Sequence, residues 1–184
     1  IHIIVFFLII FFTNRHLLLY IIIYNYSIMN TITEKCTRKK CFDISQYFLL
    51  IVPMLAVYLP TVAYPVTNAI GSNVPFRPPG YVFAIVWPIL LILLGISWFI
   101  VRAGGKLVNI MYTVLVILLG IWFILYDNNK YLGLADIIIS LLLTLYLFFY
   151  NYKKFNKYSY ITVVPLIIWL GFASVLNVAA IIYT

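Results

Sequence analysis

Five long apolar runs, separated by polar connections, fill the chain from about residue 46 onward. They lie near 46–66, 80–101, 108–126, 132–150 and 160–183. Each holds about 20 residues, enough for a helix to cross the hydrocarbon of a bilayer. None shows the alternation over about ten residues that marks a barrel strand, so the spanning elements are predicted to be helices. Pro53, Pro60 and Pro65 make the first run irregular, which a membrane helix tolerates when its neighbours re-satisfy the freed backbone groups. The connection over 67–79 is the longest of the set. The others are tight, and that tightness predicts antiparallel packing of consecutive helices. The expected fold is an all-α integral membrane bundle of five transmembrane helices over 46–184.

Residues 1–28 read differently. Two apolar runs there are broken by Asn14, Arg15 and His16, and neither reaches the length of about 18 residues that a span needs. A signal sequence would need a basic start and a small-residue cleavage site, and neither is present. The expectation is an apolar extension outside the native chain, which would then begin at Met29. A basic polar lead follows over 29–45, with Lys35, Arg38, Lys39 and Lys40. Cys36 and Cys41 enclose part of it. With no His or further Cys nearby, an incidental reduced pair is expected ahead of a metal site or a disulfide.

Composition removes the soluble alternatives. The chain is 66% hydrophobic and 9% charged, and no soluble domain of 184 residues has a core able to hide that much apolar surface. A net charge of +8 would suggest nucleic acid in a soluble protein. Here the cations sit in short connections, so topology accounts for them and no nucleic-acid partner is expected. The lead, the 102–107 connection and the 151–159 connection carry Lys35, Arg38, Lys39, Lys40, Arg102, Lys106, Lys153, Lys154 and Lys157. The opposite side has Arg77 and Lys130. By the positive-inside rule, the basic side and the N-terminus are expected in the cytoplasm.

After Met29 there is no histidine, no Gly-rich phosphate loop and no Ser/His/Asp set. The acids, Glu34, Asp43, Asp127 and Asp136, form no cluster in the sequence. Nothing points to hydrolysis, metal catalysis or phosphoryl transfer, and no cofactor or metal is required. Aromatic and small residues on helical faces remain. Phe83, Trp87, Leu91 and Gly95 recur every four residues and share one face of the second helix. With Arg77 in the Pro-rich turn ahead, that face reads as one wall of a ligand pocket or as an ordinary membrane helix with an interfacial Trp.

The tryptophans differ in depth. At a rise of 1.5 Å per residue, Trp87, Trp122 and Trp169 lie about 10, 6 and 16 Å from the poorly charged side. Trp98 lies near the opposite end. Trp98 and Trp122 suit an interfacial belt; Trp87 and Trp169 do not. Pro165, Trp169, Ala173 and Asn177 share a face of the fifth run, as Asp136, Ser140 and Thr144 do on the fourth. The second stripe is expected to act as structural glue.

These residues resemble the TspO/MBR family, the tryptophan-rich sensory protein and translocator protein family. Its second-helix pattern is W-x-P-P-x-W-x-F-x-x-x-W followed by a small step. The stretch here reads Phe76, Pro78, Pro79, Tyr81, Phe83, Trp87, Gly95 and Ser97. Phe76 and Tyr81 stand where the pattern has tryptophan. The fifth-helix pattern P-x-x-x-W-x-x-x-A-x-x-x-N matches at Pro165, Trp169, Ala173 and Asn177. Trp122, Lys130, Gly133, Leu134 and Ala135 resemble the family's third helix, turn and fourth helix. Leu119 stands where an Asn is usual, and Asp127 replaces one aromatic of a pair. The likeness covers about 46–184.

The resemblance implies a five-helix bundle, often a homodimer, whose pocket opens at the loop between helices one and two. It implies a porphyrin such as protoporphyrin IX as ligand, and in some members a sterol or benzodiazepine-type molecule. Some bacterial members degrade porphyrin in light through two tryptophans, which by motif are Trp87 and Trp169. Leu91, Ala173, Trp122, Phe123 and Pro78 match pocket-lining positions, and Phe76 and Phe83 belong to the same motif. The residues themselves add that indoles suit a flat π-system. Arg77 is the better of the two cations on that side to pair with a propionate, because its fork binds a carboxylate at two points. Sterol ranks lower, since the segment after Asn177 reads VAAIIYT with no cation behind the Tyr.

Overall fold

The computed structural model describes residues 48–63 and 73–183. The extension 1–28, the lead 29–45 with both cysteines, and part of the first connection lie outside the described residues. Within them all regular structure is helical: α1 (Val52–Ala63), α2 (Gly80–Val101), α3 (Lys106–Asn128), α4 (Lys130–Lys154), α5 (Lys157–Ile161) and α6 (Val164–Ile182). Four spans are long and apolar enough to cross a membrane: α2 with the turn to Gly104, α3, α4, and α5–α6 taken together. With α1 these make the five segments expected.

Local chemistry sets the ends. Pro78 and Pro79 hold the residues before them out of the α region, so α2 starts at Gly80. Gly105, at φ 109°, turns the chain between α2 and α3, a conformation most side chains avoid. Asn129 separates α3 from α4. Its side-chain oxygen accepts from the Tyr131 N–H at 2.9 Å and caps α4. Asn156 caps α5 in the same way, accepting from Tyr158 and Ser159. Pro165 sits in the first turn of α6, where a missing N–H costs nothing, and the helix breaks just before it at Thr162–Val163.

The packing departs from the expected order at one place. α3 runs along α4 and α4 along α6, while α1 packs on both α2 and α3 and keeps those two apart for most of their length. The short α2–α3 connection therefore does not make them close neighbours. Glycines provide the room. A Cβ on Gly95 of α2 would lie 2.6 Å from the Leu50 carbonyl oxygen, just ahead of α1. One on Gly120 of α3 would lie 2.6 Å from that of Ala56. Small residues at such crossings let backbones approach where lipid offers no hydrophobic drive. Gly133 does the same for α3 and α4, where a Cβ would lie 2.7 Å from Tyr126 Cβ.

A polar knot ties the basic end. The Ser97 hydroxyl donates to the Ser159 carbonyl at 2.6 Å, and the Tyr112 hydroxyl lies 2.6 Å from Ser97 Oγ. Because Ser97 has one proton, already given to Ser159, Tyr112 is the donor of the second bond. Asn151 Nδ2 donates to Tyr112 Oη at 2.8 Å and to the Ser159 carbonyl at 3.3 Å. Four segments thus meet through three side chains and the Ser159 main-chain carbonyl, all from fully buried residues. Trp98 belongs to this end and corrects an expectation. It is not an interfacial ring facing lipid: it is buried, its Nε1 donates to Asn109 Oδ1 at 2.9 Å, and it stacks on Tyr112 with centroids 5.8 Å apart.

Less than half of each long span is buried within the protein. The outward faces carry Ile92, Ile110, Val114, Ile117, Leu142 and Val175, each at least 42% exposed. An apolar surface of that extent belongs in lipid. The protein is an integral membrane helical bundle.

Candidate functional site

The knot provides a common level from which to measure depth. Trp87 lies ten residues from Ser97, Trp122 ten from Tyr112, and Trp169 ten from Ser159, while Ser140 is eleven from Asn151. At the helical rise, Trp87, Trp122 and Ser140 stand about 15 Å from the knot, and Trp169, beyond the break at Thr162–Val163, is brought to the level of Trp87 by their ring contact. This corrects the unequal depths counted from the connections. Those counts failed because the helices end at different heights, with α6 running on to Ile182.

Ring contacts link this level to the loop. Trp87 and Trp169 meet edge to face with centroids 6.4 Å apart, and Phe83 meets Trp169 in the same manner at 5.5 Å. The guanidinium carbon of Arg77 lies 5.4 Å from the Phe83 ring centroid. Arg77, Phe83, Trp169 and Trp87 therefore form one contiguous path from the loop into the bundle. α2 supplies Phe83 and Trp87 from one face because they are four residues apart. α6 supplies Trp169 from the stripe that also holds Ala173 and Asn177.

A second cluster closes the same end. Val74, in the loop before α2, is only 3% exposed and packs with Tyr126, Leu176, Ala179 and Ala180. Phe83, Trp122 and Phe172 lie against this cluster. Trp122 meets Tyr126 at 5.6 Å, and Phe172 meets Trp169 at 5.6 Å. Trp122, Phe83 and Phe172 thus share one cluster, and Phe83 and Phe172 in turn touch Trp169. Val74 and Phe172 had no signal in the sequence. One apolar residue in a loop has no period, and Phe172 falls off the four-residue stripe of α6.

The remaining candidates are placed as follows. Pro78 is buried in the loop. Leu91, Phe123 and Ala173 are buried among the helices, Leu91 completely. Phe76 stands apart from the ring path, 49% exposed. Lys130 opens α4.

This half of the bundle is also polar in an unusual way. Trp122 Nε1, Trp169 Nε1, Asp136 Oδ2, Ser140 Oγ and Asn177 Oδ1 are buried with no hydrogen-bond partner in the protein. Among the described residues one further atom shares this state, Asn151 Oδ1 in the knot. A buried polar atom left unpaired costs about 1–3 kcal/mol. Two indole N–H donors, a hydroxyl and two further oxygens of this kind, beside three indoles, make this half of the bundle suited to a flat aromatic molecule with polar groups at its edge. Among the described residues no group of His, Cys, Asp or Glu is placed to hold a metal ion.

No curated relative matches the chain in sequence. A sequence model of the TspO/MBR family, however, matches residues 49–183, which include every described helix and the whole ring path. With that match and a bundle of apolar spanning helices, the chain belongs to the TspO/MBR family.

Proposed function

We propose that the protein binds a tetrapyrrole of the protoporphyrin IX type within the aromatic half of the bundle, between α2, α3 and α6. The observation that carries this reading is the unbroken path Arg77–Phe83–Trp169–Trp87. Ring faces and edges along it match a large flat π-system. The guanidinium at its outer end matches a propionate. The unpaired indole N–H groups of Trp122 and Trp169 offer donors beside it. Binding serves sensing or sequestration of the ligand. If the ligand is altered in light, we assign Trp87 and Trp169 as electron donors to the excited ring, with dioxygen as the final oxidant. Transport of a sterol or lipid is the lesser reading, because the guanidinium beside Phe83 and the unpaired buried polar atoms suit a ligand with several polar groups at its edge better than a hydrocarbon.

The test is a titration of the full chain in detergent with protoporphyrin IX, following Trp fluorescence in the dark and then ligand absorbance under light. Saturable quenching is expected, with affinity lowered about tenfold or more by Trp169→Phe and by Trp87→Phe; a tenfold loss corresponds to about 1.4 kcal/mol. Arg77→Ala is expected to weaken binding and flatten its salt dependence. Quenching that never saturates, or that ignores both Trp substitutions, rules out the pocket. Bleaching in light that requires both tryptophans would assign photochemistry to the site.

A further inference from the structure

The basic end carries a second surface with its own chemistry. On α4, Leu142, Tyr146, Phe149 and Lys153 follow at spacings of four, three and four residues, so they form one stripe along the helix. The stripe faces outward: Leu142 is 60% exposed, Tyr146 48% and Phe149 58%, and Lys153 is exposed. It runs about 16 Å from Leu142 to Lys153, roughly half the thickness of the hydrocarbon. An apolar wall of half-bilayer length therefore ends on a cation at the membrane surface.

That cation has company and, among the described residues, no acidic counterpart. Lys154 lies over the Tyr150 ring at 4.8 Å, and Lys157 over Tyr158 at 5.4 Å. The ring of Phe155, between them in sequence, packs directly against Gly104. This contact sets the turn bearing Arg102 and Lys106 beside the turn bearing the three lysines. The knot beneath ties α2, α3, α4 and α5 and holds both turns in place. The two described acids, Asp127 and Asp136, lie toward the other end of the bundle. Lysines held against aromatic faces keep their ammonium N–H groups available to an anion on the far side.

We infer that this corner is a binding site for one anionic phospholipid, with an acyl chain along Leu142, Tyr146 and Phe149 and the phosphate on Lys153, Lys154 and Lys157. A lipid is the occupant that fits both parts of the surface. Nucleic acid or an acidic protein would engage the cations alone, whereas a phospholipid in the leaflet that the stripe faces engages the cations and the stripe together. The site lies at the opposite end of the helices from Arg77 and is independent of the tetrapyrrole pocket.

The test uses the full chain reconstituted into vesicles of phosphatidylcholine alone or with phosphatidylglycerol, then released for native mass spectrometry, with thermal unfolding measured in parallel. The expected result is a retained phosphatidylglycerol adduct and a higher unfolding midpoint in the mixed vesicles. Each lysine near an anionic surface contributes about fivefold, so K153Q/K154Q/K157Q should lower retention roughly a hundredfold. The corresponding triple Arg variant should restore it. Phe149→Ala should lower retention while every charge is kept. Equal retention of the two lipids, or retention unchanged in the triple Gln variant, overturns the site. Tighter binding of a short oligonucleotide than of phosphatidylglycerol at equal salt overturns it as well. Retention lost in the Gln variant but indifferent to Phe149→Ala would reduce the corner to a general basic surface and sink the acyl groove.

Discussion

Ser97 and Ser140 are both completely buried serines on spanning helices, about 16 Å apart in depth, in opposite surroundings. Ser97 Oγ makes 2.6 Å bonds with both Ser159 and Tyr112. Ser140 Oγ has no partner. Around Ser97 the helices are closed by hydrogen bonds and a glycine crossing. The half that holds Ser140 carries the indole and phenyl contacts of α2 and α6, and five buried polar atoms there, Ser140 Oγ among them, have no partner. The difference separates two tasks. One end fixes the arrangement of the helices, and the other keeps polar and aromatic groups at a stability cost that a bound molecule would offset.

The largest effect should come from breaking the fixed end. Gly95 faces backbone, with the Leu49 and Leu50 carbonyl oxygens 3.0 and 2.6 Å from an added Cβ, and backbone cannot move aside as a flexible side chain would. Gly95→Leu should cost on the order of 3 kcal/mol in denaturation in detergent micelles, the upper range for overpacking. It should lower the yield of folded protein with it. A cost below about 0.5 kcal/mol, the usual range for surface changes, would show that the segment ahead of α1 does not lie against α2.

That contact also shows where sequence reading stops. The helix boundaries were legible because Pro78–Pro79, Gly104–Gly105 and Asn129 punctuate the apolar runs. Phe83 with Trp87 followed from helical spacing, and Trp169 from the family pattern. The position of α1 between α2 and α3 was not legible, because a short connection fixes only where two helices meet, not whether they stay together. Gly95 and Gly120 were its only trace, and a glycine in a membrane helix has many uses. Trp98 misled for a related reason. Its partner Asn109 lies eleven residues on, across a turn, where no periodicity links them. The common depth of Trp87, Trp122 and Trp169 became visible only once the knot and the Trp87–Trp169 contact supplied a shared reference.

The two serines give the sharpest test of the comparison itself. Ser97→Ala removes a donor and an acceptor and leaves the Ser159 carbonyl and the Tyr112 hydroxyl poorly satisfied. Interhelical hydrogen bonds in membranes average about 0.6 kcal/mol and reach about 1.7. A loss of roughly 1–2 kcal/mol is therefore expected, since two bonds go at once. Ser140→Ala removes a buried hydroxyl that has no partner, so its cost should be near zero or slightly favourable. Measured side by side in the same detergent, equal losses would mean the contrast between the two ends is not energetic.

The smallest effect tests the outward face of the aromatic half. A Cβ on Gly171 of α6 would meet nothing within 4 Å, unlike one on Gly95 or Gly120. Replacing an unconstrained helical glycine by alanine gains about 0.5–1 kcal/mol through helix propensity and a less flexible unfolded chain. Gly171→Ala should therefore raise stability slightly and leave porphyrin quenching unchanged, because Trp169 and Ala173 are buried while residue 171 is more open. A loss of stability would be the more informative result. Nothing among the described residues opposes the added methyl, so a penalty would point to a second copy packed on this face. It should then fall away on dilution, when the protein no longer self-associates, and a penalty that persisted would contradict the open surroundings of Gly171.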